Sequence, residues 1–196
     1  MTLKNRASSV SHVAPFLEIR ASQKHKWLLE TLIVLFGALG LALLAQIAIH
    51  IPGTPVPITG QTLGTALLAL VYGQRRGLAA FCTYYALGSL HLPVFALGAS
   101  GFALGPTSGY LVGMLLAIGV VGGLADRGWT NSFLRCWLAN ILGSVLIFAV
   151  GLLVLSHFIG TQHVLQAGLW PFVPGDIVKD ILAAAIAWRL RRSPIV

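Results

Sequence analysis

The chain has 196 residues, of which 57% are hydrophobic and only 9% charged, with a mean hydropathy of +0.85. A soluble domain wets its surface with roughly 25% charged residues, so this composition excludes an ordinary soluble globule and turns much of the surface toward lipid. The formal charge of +8 does not mark a nucleic-acid binder, because the basic residues sit in short clusters between apolar segments and form no continuous polar face.

In chain order, residues 1–27 are a basic segment carrying Lys4, Arg6, Arg20, Lys24 and Lys26. It lacks the apolar run of a signal peptide. Apolar segments follow at 28–49, 57–73, 77–92, 106–124, 133–157 and 173–190, and residues 193–196 form a short tail. Their lengths and their Leu and Ala content predict helices rather than barrel strands. The second and third are short enough for a re-entrant hairpin, but that would strand Arg75 and Arg76 at mid-bilayer, whereas two crossings place them in cytosol. The expected fold is all-α: one compact bundle of six transmembrane helices over 28–192, without linker or tandem repeat.

The loop charges give an orientation. The basic residues of the N-terminus, Arg75, Arg76, Arg127, Arg135, Arg189, Arg191 and Arg192 fall on one side. The loops near 50–56, 93–105 and 158–172 contain no Lys or Arg. The positive-inside rule then puts both termini in the cytoplasm. Trp27, Trp129, Trp137, Trp170 and Trp188 lie near helix ends, where interfacial anchoring explains them. Cys82 and Cys136, in or beside apolar segments, read as small buried residues rather than a disulfide or metal pair.

Two of the outer loops are apolar and irregular. Residues 51–60 read IPGTPVPITG and 88–109 read GSLHLPVFALGASGFALGPTSG, with prolines and glycines that stop helices and favour turns. Such backbone at a membrane face suits either a roof over a cavity or a buried plug.

Functional chemistry concentrates in PGDIVKD, residues 174–180. Pro174 and Gly175 suit a helix start, with Asp176 in the first turn beside free N–H groups. Asp176, Lys179 and Asp180 are spaced to share one helical face. Three charges at the outer end of an apolar helix are expensive unless paired, hydrated or used. They form either a self-satisfied network that locks helices together or a polar ligand pocket open to the outside. Thr59, Gln61, Tyr84, Tyr85 and Asn140 are candidates to converge on such a pocket. Each also has a structural explanation: capping for Thr59, packing for one of the adjacent tyrosines, interhelical bonding for Asn140. Asn140, near the inner end of the fifth segment, is expected closer to the cytoplasm than Asp176.

Small-residue stripes at Ala38 and Ala42, and at Gly105, Gly109 and Gly113, allow close backbone approach in lipid. Internal packing accounts for the glycines, and the alanines serve either internal packing or a separate membrane protein. The chain carries no GxxxxGK[ST] loop for ATP, no HExxH and no GxSxG, and His91 and His157 are isolated. No cofactor and no metal are expected, nor an enzyme.

At VPITGQTLG (56–64), LPVF (92–95), LGPTSGYLVG (104–113) and PGDIVK (174–179) the chain resembles the BioY family, the biotin-specific substrate-binding components of energy-coupling factor transporters. The likeness runs from the first apolar segment to the sixth. It implies a six-helix bundle with biotin bound near the outer face, roofed by the first and third interhelical loops. It also implies a transmembrane coupling protein and two ATP-hydrolysing subunits as partners. Ala38 and Ala42 match the family's helix-1 docking motif. Asp176 and Lys179 match its polar pair, the carboxylate for ureido N–H groups and the ammonium for the valerate carboxylate. Phe95, Tyr85 and Phe102 are loose candidates for the walls around the rings. The departures are Asp180 directly after Lys179, Leu97 within the glycine-rich run, and a longer basic N-terminus. The expected function is biotin uptake as a binding and translocation subunit. The alternatives are a component for another vitamin, or a structural membrane protein whose charges only pack helices.

Overall fold

The computed structural model describes residues 23–192, with the side chains of Gln23 and Lys24 excepted. Lys4, Arg6 and Arg20 and the tail at 193–196 lie outside the described residues. The chain runs α1 (Gln23–Gln46), a two-residue antiparallel ribbon pairing Ala48 with Thr59 and Ile49 with Ile58, α2 (Gln61–Leu67) and a π turn (Leu68–Tyr72). It continues as α3 (Gly73–Ser89), α4 (Ser108–Asp126), α5 (Phe133–Ile159), a short α6 (Val164–Gly168) and α7 (Val173–Arg192). Each of the six expected helical segments has its counterpart. The ribbon and α6 are additions that two and five residues of sequence do not announce.

Among the described residues, three helices are individually long and apolar enough to cross a membrane: His25–Gln46, Ser108–Asp126 and Phe133–Ile159. The outward face of α1 carries Phe36, Leu39 and Leu43, all more than half exposed, and α5 similarly presents Val145 and Leu153. Apolar side chains face outward on these helices while Gln61, Thr65, Arg76, Asn140, Asp176 and Asp180 are buried inside. That inversion is what a lipid solvent imposes.

α4 is the central helix, packed against α3 on one side and α5 on the other, while α7 closes the bundle against α5 and α2. Glycines permit the closest approaches. A Cβ on Gly113 would lie 2.7 Å from Ile147 Cα, and one on Gly109 would lie 2.7 Å from the Val150 carbonyl oxygen. These two residues form the expected stripe against α5. Gly105 does not join it, since it precedes the helix and has open space around it.

The turn between α2 and α3 is tighter than a loop. Gly73, at φ 74°, reverses the chain directly into α3, and the Asp126 carboxylate accepts the Gln74 N–H at 3.1 Å. Arg75 is exposed, but Arg76 folds back into the bundle at 7% exposure and pairs through two guanidinium nitrogens with Glu30 of α1. The two arginines therefore differ. One remains at the surface, while the other ties α3 to α1 through a charge-assisted fork. Cys136 is buried as expected, whereas Cys82 is exposed.

Candidate functional site

A cavity of about 330 Å³ opens between the ribbon, the loop after α3, the first turns of α2, α4 and α7, and the middle of α5. This volume lies within the range of small-molecule sites, roughly 300–1,000 Å³. Its walls are largely apolar: Phe95, Tyr110, Met114, Phe148 and Phe172 surround it. Tyr110 and Phe172 meet with their rings tilted by 33° and centroids 6.2 Å apart, and the Tyr110 hydroxyl donates to the Gly168 carbonyl at 2.8 Å. That bond uses α6 to set a rigid aromatic wall.

The polar end is built by α7 against the start of α2. Asp176 sits in the first turn of α7, its N–H given to the Phe172 carbonyl at 2.9 Å. One turn on, the Lys179 ammonium donates to the Thr59 carbonyl at 2.8 Å and to the Thr62 hydroxyl at 3.1 Å. An ammonium has three N–H donors, so one is left for the cavity. Among the described residues, no carboxylate oxygen lies within 4.0 Å of it. Gln61 is fixed beside this pair. Its amide donates to the Tyr84 hydroxyl at 2.7 Å, and its Oε1 accepts from the Thr59 hydroxyl at 3.1 Å.

The roof is held from α1. The Gln46 side chain donates to the Phe95 carbonyl at 3.0 Å and accepts the Gly98 N–H at 3.1 Å, spanning the cavity-lining turn Ala96–Gly98. Within that turn Leu97 adopts φ 60°, ψ 27°, a left-handed conformation uncommon outside glycine. The interruption of the glycine run is thus accommodated as backbone strain in the roof, with the Leu97 side chain 54% exposed.

The BioY family model matches residues 18–194. The chain belongs to the BioY family. Among curated relatives, the biotin transporter BioY of Thermotoga maritima is 38% identical over 150 residues, covering 75% of this chain and 88% of that one. The probable biotin transporter BioY of Pyrococcus horikoshii is 36% identical over 163 residues, covering 82% and 94%. A crystal structure of the S-component for biotin from an ECF-type ABC transporter superposes with a TM-score of 0.80 at 27% identity, covering 88% of this chain and 96% of that one. This BioY chain is accordingly an all-α, membrane-spanning bundle of the S-component fold.

Of the site residues expected from sequence, Asp176, Lys179, Gln61 and Phe95 line the cavity of this BioY chain. Tyr85 does not. It stands behind Phe95, centroids 5.8 Å apart, and buttresses the wall instead of forming it. Asn140 is also outside the cavity, because its position in the N-terminal half of α5 puts it below the floor, where its amide donates to the Asp180 carbonyl at 3.0 Å. Phe102 is 71% exposed and likewise no wall. Asp180 turns away toward α5 and accepts from Ser144 at 3.2 Å, so it does not take the Lys179 ammonium.

The alanines expected to form a docking strip lie along α1. Ala38 has no exposure and packs in the core, and Ala42 is half-buried against it. Ala38 therefore serves the inner face of α1, and the exposed side one position over, at Leu39 and Leu43, is bulky and apolar. Sequence reasoning missed Tyr110, Phe172, Phe148, Met114 and Gln46. A glutamine ending an apolar segment was the one visible signal among them.

Proposed function

We propose that this chain is the biotin-binding S-component of an energy-coupling factor transporter in the cytoplasmic membrane, taking up biotin through the cavity beneath its outer loops. The observation that carries the reading is the cavity itself: aromatic walls at one end, and Asp176 with an incompletely used Lys179 ammonium at the other. The walls suit a compact apolar bicycle. The Asp176 carboxylate accepts ureido N–H bonds, and the ammonium pairs with the tail carboxylate. Relatives named as biotin transporters and a solved S-component for biotin support this assignment.

The chain binds and translocates, and partner subunits supply the energy: a transmembrane coupling protein and two ATP-hydrolysing subunits. Six crossings with both termini inside leave the cavity facing outward, a disposition supported by loops free of Lys and Arg around it.

Chemical protection tests ligand and orientation together. With Cys82 and Cys136 replaced by Ala, single cysteines are placed at Ala99, Gln162 and Gln74, all exposed, with Ala99 at the cavity. In intact cells an impermeant thiol reagent should label the Ala99 and Gln162 sites, and biotin should protect only the former. The Gln74 site should react only after the membrane is opened. Labelling at Gln74 in sealed cells contradicts the orientation, and unaltered labelling at Ala99 in saturating biotin contradicts the ligand assignment.

A further inference from the structure

Below the floor of the cavity lies a second, much smaller void of about 10 Å³, bounded by α2, α4, α5 and α7. It shares Thr62 and Ile147 with the larger cavity. Its lining is out of keeping with a bundle interior. Thr65 and Asn140, each 2% exposed, and Asp180, 6% exposed, all face it. The Thr65 hydroxyl and the Asn140 Oδ1 have no hydrogen-bond partner in the protein. The Asn140 amide nitrogen is already committed to the Asp180 carbonyl, which fixes the amide so that its oxygen is the free end.

The charge balance at this depth is also incomplete. Asp176 and Asp180 are both buried, with Lys179 the one cation on their stretch of α7. Lys179 is held toward Thr59 and Thr62 on the other cavity. Asp180 has a single neutral donor, Ser144, and no Lys or Arg nitrogen within 4.0 Å among the described residues. Unpaired buried charge and unsatisfied buried oxygens are each costly, and more so in a membrane.

We propose that this void is a binding site for a dehydrated Na⁺ ion, held by the Asp180 carboxylate, the Asn140 Oδ1 and the Thr65 hydroxyl. The donor set is wholly oxygen, as hard cations require. A single uncompensated carboxylate calls for a monovalent ion, and a space about the size of one water favours a small one. Na⁺ satisfies the orphan oxygens and the charge together, whereas a water molecule answers only the first. Bound beneath the floor, it neutralises Asp180 and leaves the field of Lys179 for an anionic ligand above.

The test needs no vitamin and therefore stands or falls apart from the biotin assignment. The purified full chain in detergent is unfolded thermally in NaCl, KCl or choline chloride at equal ionic strength. Na⁺ should raise Tm saturably by several degrees over choline and over K⁺, as expected for a ligand bound only by the folded state. Thr65→Val keeps the volume and deletes one ligand, and Asp180→Asn keeps the shape and deletes the charge. Each should fold in choline with a Tm at or above the parent's and lose the Na⁺ response. An equal response to all three salts, an equal response to Na⁺ and K⁺, or an undiminished Na⁺ response in both variants overturns the proposal.

Discussion

Lys179→Ala is expected to weaken biotin by about 30-fold or more while leaving a biotin amide, which lacks the tail carboxylate, much less affected. The ammonium lies in a half-buried, apolar-walled cavity, two of its three donors used on Thr59 and Thr62 and the third available to ligand. Removing it leaves the anionic tail near Asp176 without a counter-charge. Loss of a buried charged partner costs about 2–5 kcal/mol, and 2 kcal/mol is already about 30-fold in affinity. Asp176→Asn should weaken both ligands by a similar, smaller factor, since an amide oxygen still accepts a ureido N–H. Titration of both variants with both ligands checks the assignment. If Lys179→Ala weakens the two ligands equally in a folded protein, Lys179 merely braces α7 against α2, and the tail is read elsewhere.

Gly113→Val should be strongly destabilising. The new side chain would meet the Ile147 Cα at 2.7 Å and the Ile147 carbonyl oxygen at 2.9 Å. Backbone cannot swing aside as a side chain does, so α4 and α5, the most extensive helix pair in the bundle, must separate. Overpacking usually costs about 1–3 kcal/mol, and a clash against backbone belongs at or beyond the upper end. Gly119→Val supplies the control on the same helix, with nothing within 4 Å of its Cβ position. It should change stability by less than about 0.5 kcal/mol. Denaturant titration in mixed micelles compares the two, and similar losses for both would show that the α4–α5 contact does not set the cost at Gly113.

The helices and the polar end of the site were legible because lipid makes each polar residue conspicuous. Asp176 and Lys179 stand out in an apolar segment, and both reach the cavity. Asp180 stands out equally, but whether a charge four residues on faces the ligand or the next helix depends on the roll of α7 against α5. Periodicity does not fix that angle. Aromatics carry the opposite difficulty. In an apolar chain nothing separates the Tyr110 and Phe172 walls from Tyr85, which only supports Phe95. Small residues are ambiguous for a different reason. An alanine stripe permits close approach by any neighbour, and here α1 spends Ala38 on its own bundle. Arg76 and Glu30, 46 positions apart, pair only because Gly73 turns α3 back along α1. That contact belongs to the tertiary fold and to no local pattern.

Whether the cavity is a biotin site is tested most directly by equilibrium titration of the purified chain with labelled biotin. One class of saturable sites is expected, undisturbed by excess thiamin or riboflavin and strongly weakened by Lys179→Ala. Binding that fails to saturate in folded protein, or that thiamin or riboflavin displaces as readily as unlabelled biotin does, would contradict it.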